Sequence, residues 1–150
     1  MLTFRVAGAV PALPEQTVAG RADGLWKTTC FELFLRTPGS KGYAELNFSP
    51  STQWAAYAFA SYREGMRDLP LEIDPSIEQI GPESGFAYGL QVEVDLSAVA
   101  GFTQLCANLT AVIEEVGGTK SYWALAHPAG KPDFHDPACF VLELPAAKTP

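Results

Sequence analysis

With 150 residues and 47% hydrophobic content, the chain is long and apolar enough to bury one core without disulfides or metal. Ten basic residues face 17 acidic ones, a net charge of -7 with no Lys/Arg cluster, which argues against binding to nucleic-acid phosphates or anionic membranes. No apolar run has bilayer-spanning length, and Met1-Leu-Thr-Phe-Arg-Val lacks a signal-peptide profile, so a cytoplasmic location is expected.

In chain order, Leu2 to Val6 reads as a short edge strand, and Ala7 to Pro14 as a proline-bearing extended loop. A weak strand is expected around Gln16 to Ala19, then a turn at Arg21-Ala22-Asp23-Gly24 before Trp26. Three strand-like runs follow, Thr28 to Arg36, Tyr43 to Ser49 and Trp54 to Tyr62, rich in aromatic residues and punctuated by Pro38-Gly39 and Ser49-Pro50-Ser51.

Side chains alternate across a strand, so each run has two faces. Phe31, Leu33 and Leu35 oppose Cys30, Glu32 and Phe34; Ala44, Leu46 and Phe48 oppose Tyr43, Glu45 and Asn47. In the third run Ala55, Tyr57 and Phe59 oppose Trp54, Ala56, Ala58 and Ala60. The first face of each run reads as core. The second mixes carboxylates, an amide and aromatics, and the small alanines of the third run are expected beside them, leaving room for a guest.

Beyond Glu64 a long connection carries short pieces at Leu71 to Ile73 and Ile77 to Ile80, broken by Asp74-Pro75 and Gly81-Pro82. Phe86 to Leu96 alternates clearly, with Phe86, Tyr88, Leu90, Val92 and Val94 inward. A short helical turn is expected at Asp95 to Ala100, with Asp95 or Ser97 at its cap. Leu105 to Glu115 alternates again and leads through a hairpin turn to Ser121–His127; a loop from Pro128 to Pro137 precedes a last strand at Ala138 to Leu144, and 145–150 reads as a frayed tail. Cys30, Cys106 and Cys139 show no ligand spacing and read as free thiols. Many short strands with Pro and Gly turns predict a single all-β domain, an antiparallel two-sheet β-sandwich of immunoglobulin-like or jelly-roll-like kind with little helix.

The series Leu25-Trp26-Lys27, Cys30-Phe31-Glu32-Leu33-Phe34-Leu35, Asn47-Phe48-Ser49-Pro50-Ser51 and Trp54-Ala55-Ala56-Tyr57 resembles the bacterial DOMON-like proteins, relatives of the family 9 carbohydrate-binding modules. Ser121 to Pro128 and Pro132 to Pro137 fit the end of the same pattern. The resemblance spans Asp23 to Leu144 and implies a sandwich that elsewhere serves sugar and haem binding. It also implies roles for Trp26 and Glu32, whose spacing is similar to a stacking Trp and a hydroxyl-binding carboxylate.

Indole rings offer a flat face for sugar C–H groups, which makes Trp26 and Trp123 candidate stacking platforms. Glu32, Glu45, Asn47, Gln91, Glu93 and Asn108 point away from the core by alternation, and a sugar needs several such partners because each hydrogen bond nets only about 1 kcal/mol. Arg63 is placed either on a ligand or in a pair with Glu32 or Glu45. The expected ligand-binding set is Trp26, Glu32, Arg63, Asn108 and Trp123, with no catalytic group, cofactor or metal, and the expected partner is a small molecule, a carbohydrate being what the resemblance implies. Alternatives are a non-covalent haem module using Met66 with His127 or His135, and a protein-interaction domain without a small ligand. His127 and His135 otherwise brace a loop.

Overall fold

The computed structural model describes residues 1–8, 10–83, 85–100 and 104–146. Its centre is the antiparallel trio β3 (Cys30–Arg36), β4 (Tyr43–Phe48) and β5 (Gln53–Phe59), joined by short turns at the expected Pro and Gly positions. On one side β9 (Leu105–Glu114) pairs with β3, and both β10 (Lys120–Ala124) and β11 (Leu142–Leu144) pair with the far edge of β9. On the other side β2 (Gly20–Arg21) and β6 (Arg67–Asp68) border β5. These strands form one eight-stranded sheet; β1 (Leu2–Val6), β8 (Tyr88–Glu93) and β7 (Ser76–Ile80) form a three-stranded second sheet in that order. The architecture is an all-β sandwich, as the turn-rich sequence predicts.

The pairing is antiparallel except between β2 and β5, which run parallel. Arg21 fixes that exception: its guanidinium donates to the Ala56 carbonyl (2.9 Å) and the Leu69 carbonyl (2.6 Å), and lies over the Trp54 ring. The strand expected at Gln16 to Ala19 is absent there, the pairing segment being Gly20–Arg21, and Leu71 to Ile73 carries no strand. The helical turn is α1 (Ser97–Ala100), with the Asp95 carboxylate accepting from the Ser97 N–H. Of the expected tail, residues 147–150 lie outside the described residues.

Between the sheets, Phe31, Leu33, Leu35, Leu46 and Phe48 pack on Tyr88, Leu90 and Val92 of β8 and on Phe4 of β1. Full burial of each large apolar side chain contributes about 1.5–3 kcal/mol, so this interface holds the two layers together. The phase expected for the third run is reversed. Trp54 and Ala56 are in this core, while Ala55, Tyr57 and Phe59 face the other side. The register gives the reason: Phe48 pairs with Trp54 across a turn closed by hydrogen bonds from Ser49 N to Gln53 O and from Thr52 N to Ser49 O, so Trp54 must follow Phe48 inward. The outer face of the large sheet then carries a second cluster, including Cys30, Phe34, Tyr43, Tyr57, Phe59 and Phe140.

Candidate functional site

Three segments rise around that outer face. A one-turn 3-10 helix, Leu25–Lys27, stands at one end behind Gly24, whose φ of 70° suits glycine. The turn between β5 and β6 brings Arg63 and Met66 to another side. The 125–141 segment, between β10 and β11, crosses over the sheet and lays Phe134, His135 and Phe140 against Phe34, with ring centroids 6.3, 5.1 and 6.2 Å apart. Together they enclose a cavity of about 680 Å³ floored by Glu32, Phe34, Glu45, Tyr57 and Phe59. That volume lies within the range of small-ligand pockets, about 300–1,000 Å³.

Glu32 and Glu45 reach the cavity from neighbouring strands, and both are buried, at 2% and 6% exposure. The Thr110 hydroxyl donates to Glu32 Oε2 (2.9 Å), and Asn47 Nδ2 donates to Glu45 Oε1 (2.9 Å). Burial pushes the Glu32 carboxyl up to about 8, the adjacent Glu45 adds to the rise, and the Thr110 bond opposes it. Burial likewise raises Glu45, against the Asn47 bond and the Arg63 charge.

His135 closes the floor from above. Burial holds its imidazole down to about 4, helped by the Arg63 charge and opposed by Asp133. The ring is therefore neutral at pH 7. Its Nε2 stands 3.7 Å from Glu45 Oε2, a dipolar contact and not an ion pair in that state. The Tyr43 hydroxyl lies 2.7 Å from Nδ1 and also accepts the Arg63 backbone N–H (3.1 Å). The assignment that satisfies both partners has Tyr43 donating to Nδ1, with the ring proton on Nε2.

Arg63 pairs with neither Glu32 nor Glu45, which removes one of the two alternatives expected for it. Its guanidinium donates to Asp133 Oδ1 (2.7 Å), the Tyr62 hydroxyl donates to Asp133 Oδ2, and Asp133 Oδ1 also accepts from His135 N (3.1 Å). Arg63 takes a left-handed backbone, φ 54°, unusual for a non-glycine residue, and the Tyr43 hydroxyl holds its N–H there. One carboxylate thus pins the β5–β6 turn to the crossing segment.

Of the five residues expected at a ligand site, the structure brings Trp26, Glu32 and Arg63 to this one cavity. Trp26 stands at the rim with 52% of its surface exposed. Trp123 goes elsewhere: it pairs with Ala111, on the sandwich-core side of β9, and lines a groove with Phe4 and Leu109, while its neighbour Tyr122 reaches the cavity. Asn108 is fully buried and outside the lining; its Oδ1 accepts the Leu125 N–H (3.2 Å), bonding the chain where it leaves β10. Gln91 and Glu93 lie on β8, in the other sheet.

Sequence reasoning missed Tyr43, Tyr57, Asp23 and His135 as parts of one site. Tyr57 donates to Asp23 Oδ1 (2.6 Å), joining the floor to the segment ahead of Trp26. The alternation of β4 already puts Tyr43 on the Glu45 face; Tyr57 was hidden by the reversed phase. Met66 and His135 both line the cavity, the imidazole turning Nδ1 to Tyr43 and Nε2 towards Glu45. His127 lies near the Phe134 ring, 6.1 Å between centroids. Cys30 and Cys139 are buried free thiols, and Cys106 is a partly buried one.

No family model matches the sequence, and no curated protein matches it in sequence. Among solved structures, the chain is similar to a protein of Bacteroides uniformis ATCC 8492 provisionally described as carbohydrate-binding, with a TM-score of 0.58 and 14% identity over 93% of this chain and 67% of that one. At that identity the likeness shows a shared fold.

Proposed function

We propose that the protein is a non-catalytic binding module whose cavity takes a carbohydrate or sugar derivative. One observation carries this reading: a half-exposed indole, Trp26, stands at the rim of a cavity floored by buried polar groups from β3 and β4, principally Glu32 and Glu45. An aromatic face with several fixed hydrogen-bonding groups suits a ring that has apolar C–H faces and many hydroxyls. The resemblance to DOMON-like proteins and family 9 carbohydrate-binding modules, and the fold shared with the Bacteroides protein, support the same reading. Trp26 stacks, Glu32 and Glu45 bind hydroxyls, and Arg63 and Tyr122 form the walls.

The test uses tryptophan emission. Trp54 is buried and Trp123 lies outside the cavity, so a Trp123→Phe background leaves Trp26 as the exposed indole. Titration with neutral and amino mono- and disaccharides should shift its emission, and Trp26→Ala should weaken binding about tenfold or more, the loss of one good stacking contact. A flat response across the panel, checked by calorimetry, would refute the reading.

A further inference from the structure

The chemistry inside the cavity is unbalanced in a way that neutral sugars do not match. Among the described residues, five carboxyl groups line it, Asp23, Glu32, Glu45, Asp68 and Asp133, against two cationic side chains, Lys27 and Arg63. Arg63 is already paired with Asp133. Lys27 bends back over Gly24, where a Cβ would meet its Cε at 3.3 Å. Among the described residues, no Lys or Arg nitrogen is within ion-pairing distance of the two buried carboxyls on the floor. Their hydrogen bonds come from a hydroxyl and an amide, Thr110 and Asn47, both neutral.

A buried carboxylate without a counter-charge is costly and holds a proton instead. An entering ammonium would change that balance, because it brings a positive charge and three donors to groups that accept. Aromatic rings in the lining favour the same guest: Trp26, Tyr57, Phe59 and Tyr122 line the cavity, and ring faces attract cations. A hydroxyl or an N-acetyl group supplies no such charge.

We propose that the cavity selects a carbohydrate carrying a free amine, an amino sugar, whose ammonium seats against Glu32 and Glu45. This inference rests on the carbohydrate reading above and narrows its ligand class.

Binding is then coupled to proton release, since the ammonium displaces the proton held on the carboxyl pair. The ionisable groups facing the pair are Cys30 on β3, Tyr43 on β4, Tyr57 on β5, Asp68 on β6, Tyr122 on β10, Arg63 and Lys27, Asp23, and Asp133 with His135 on the crossing segment. Cys30 is raised by burial and His135 held down to about 4, so neither exchanges protons near pH 6.

The experiment is calorimetric titration of the whole chain at about pH 6, where an amine of ordinary pKa is charged. Probes are glucosamine, galactosamine and the glucosamine disaccharide, each beside its neutral and N-acetylated counterpart, in two buffers of different ionisation enthalpy. The amines should bind about tenfold or more tightly than their counterparts, as a charge-assisted contact would give, with protons released to the buffer. Glu32→Gln should remove both the preference and the release, and circular dichroism would verify its fold. Neutral sugars binding as tightly as amines would overturn the inference and leave the carbohydrate reading standing. Amine binding without proton release, or unchanged in Glu32→Gln, would overturn the inference too. If no saccharide binds, both fall.

Discussion

Glu32 holds a carboxyl whose burial raises its value from 4.5 to about 8. Between those values the folded protein keeps a proton that the unfolded chain has lost. Stability from this group is full below about 4.5 and is lost as pH rises towards about 8; Glu45, also raised, acts in the same direction. His135 does the reverse. Its ordinary value of 6.5 falls to about 4 on folding, so its contribution is lost as pH drops through that window. The slopes oppose each other between about 4.5 and 6.5, and above 6.5 the carboxyls act alone. Urea midpoints should therefore fall from pH 6.5 to pH 8. Glu32→Gln can still accept the Thr110 bond, and it should abolish most of that fall and gain about 1–3 kcal/mol at pH 8. A parent midpoint that stays level across this range would show that Glu32 ionises alike in both states.

At the level of elements, the site depends on how one loop is tied down. Asp133 takes hydrogen bonds from Tyr62, Arg63 and the His135 backbone, so Asp133→Ala removes three contacts at once and leaves the sheets untouched. Amide exchange in the crossing segment around residues 129–137 should quicken by about tenfold or more, roughly 1–2 kcal/mol of local stability, with β3 and β4 unchanged. Equal protection in parent and variant would show that Phe134 and Phe140 alone hold the segment.

The same elements show what the sequence disclosed. In β3 and β4 one face is aliphatic and aromatic while the other carries Glu32, Glu45 and Asn47, so alternation alone assigned the sides correctly. In β5 both faces are apolar, and composition gives no phase; the length of the Ser49–Gln53 turn does. Trp123 went astray for a similar reason, because the turn Glu115–Thr119 sets which side of β9 each β10 residue follows. Pairings that join residues far apart in the chain, such as Arg63 with Asp133 or Tyr43 with His135, leave no periodic trace.

Over the whole molecule, a small sheet covers only part of a larger one, and Phe31 is the joint between them. Its ring lies 4.9 Å from Phe4 of β1 and 6.2 Å from Tyr88 of β8. Phe31→Ala should cost about 3–5 kcal/mol, read as a drop in the urea midpoint at constant slope. A loss below about 1 kcal/mol would mean that the layers close over the gap. The identity of β3 as the central member of the large sheet explains why its two faces serve different ends: inward residues supply cohesion, outward ones chemistry.

β10 and β11 lie end to end along a single edge of β9, the first finishing opposite Thr110 and the second starting opposite Ala107. The excursion between them begins and ends almost at the same place, with Asn108 fastening its start. Its length and composition can drift without shifting any strand's alignment. The outer face is thus a fixed basin beneath a cover that can be rewritten without disturbing it.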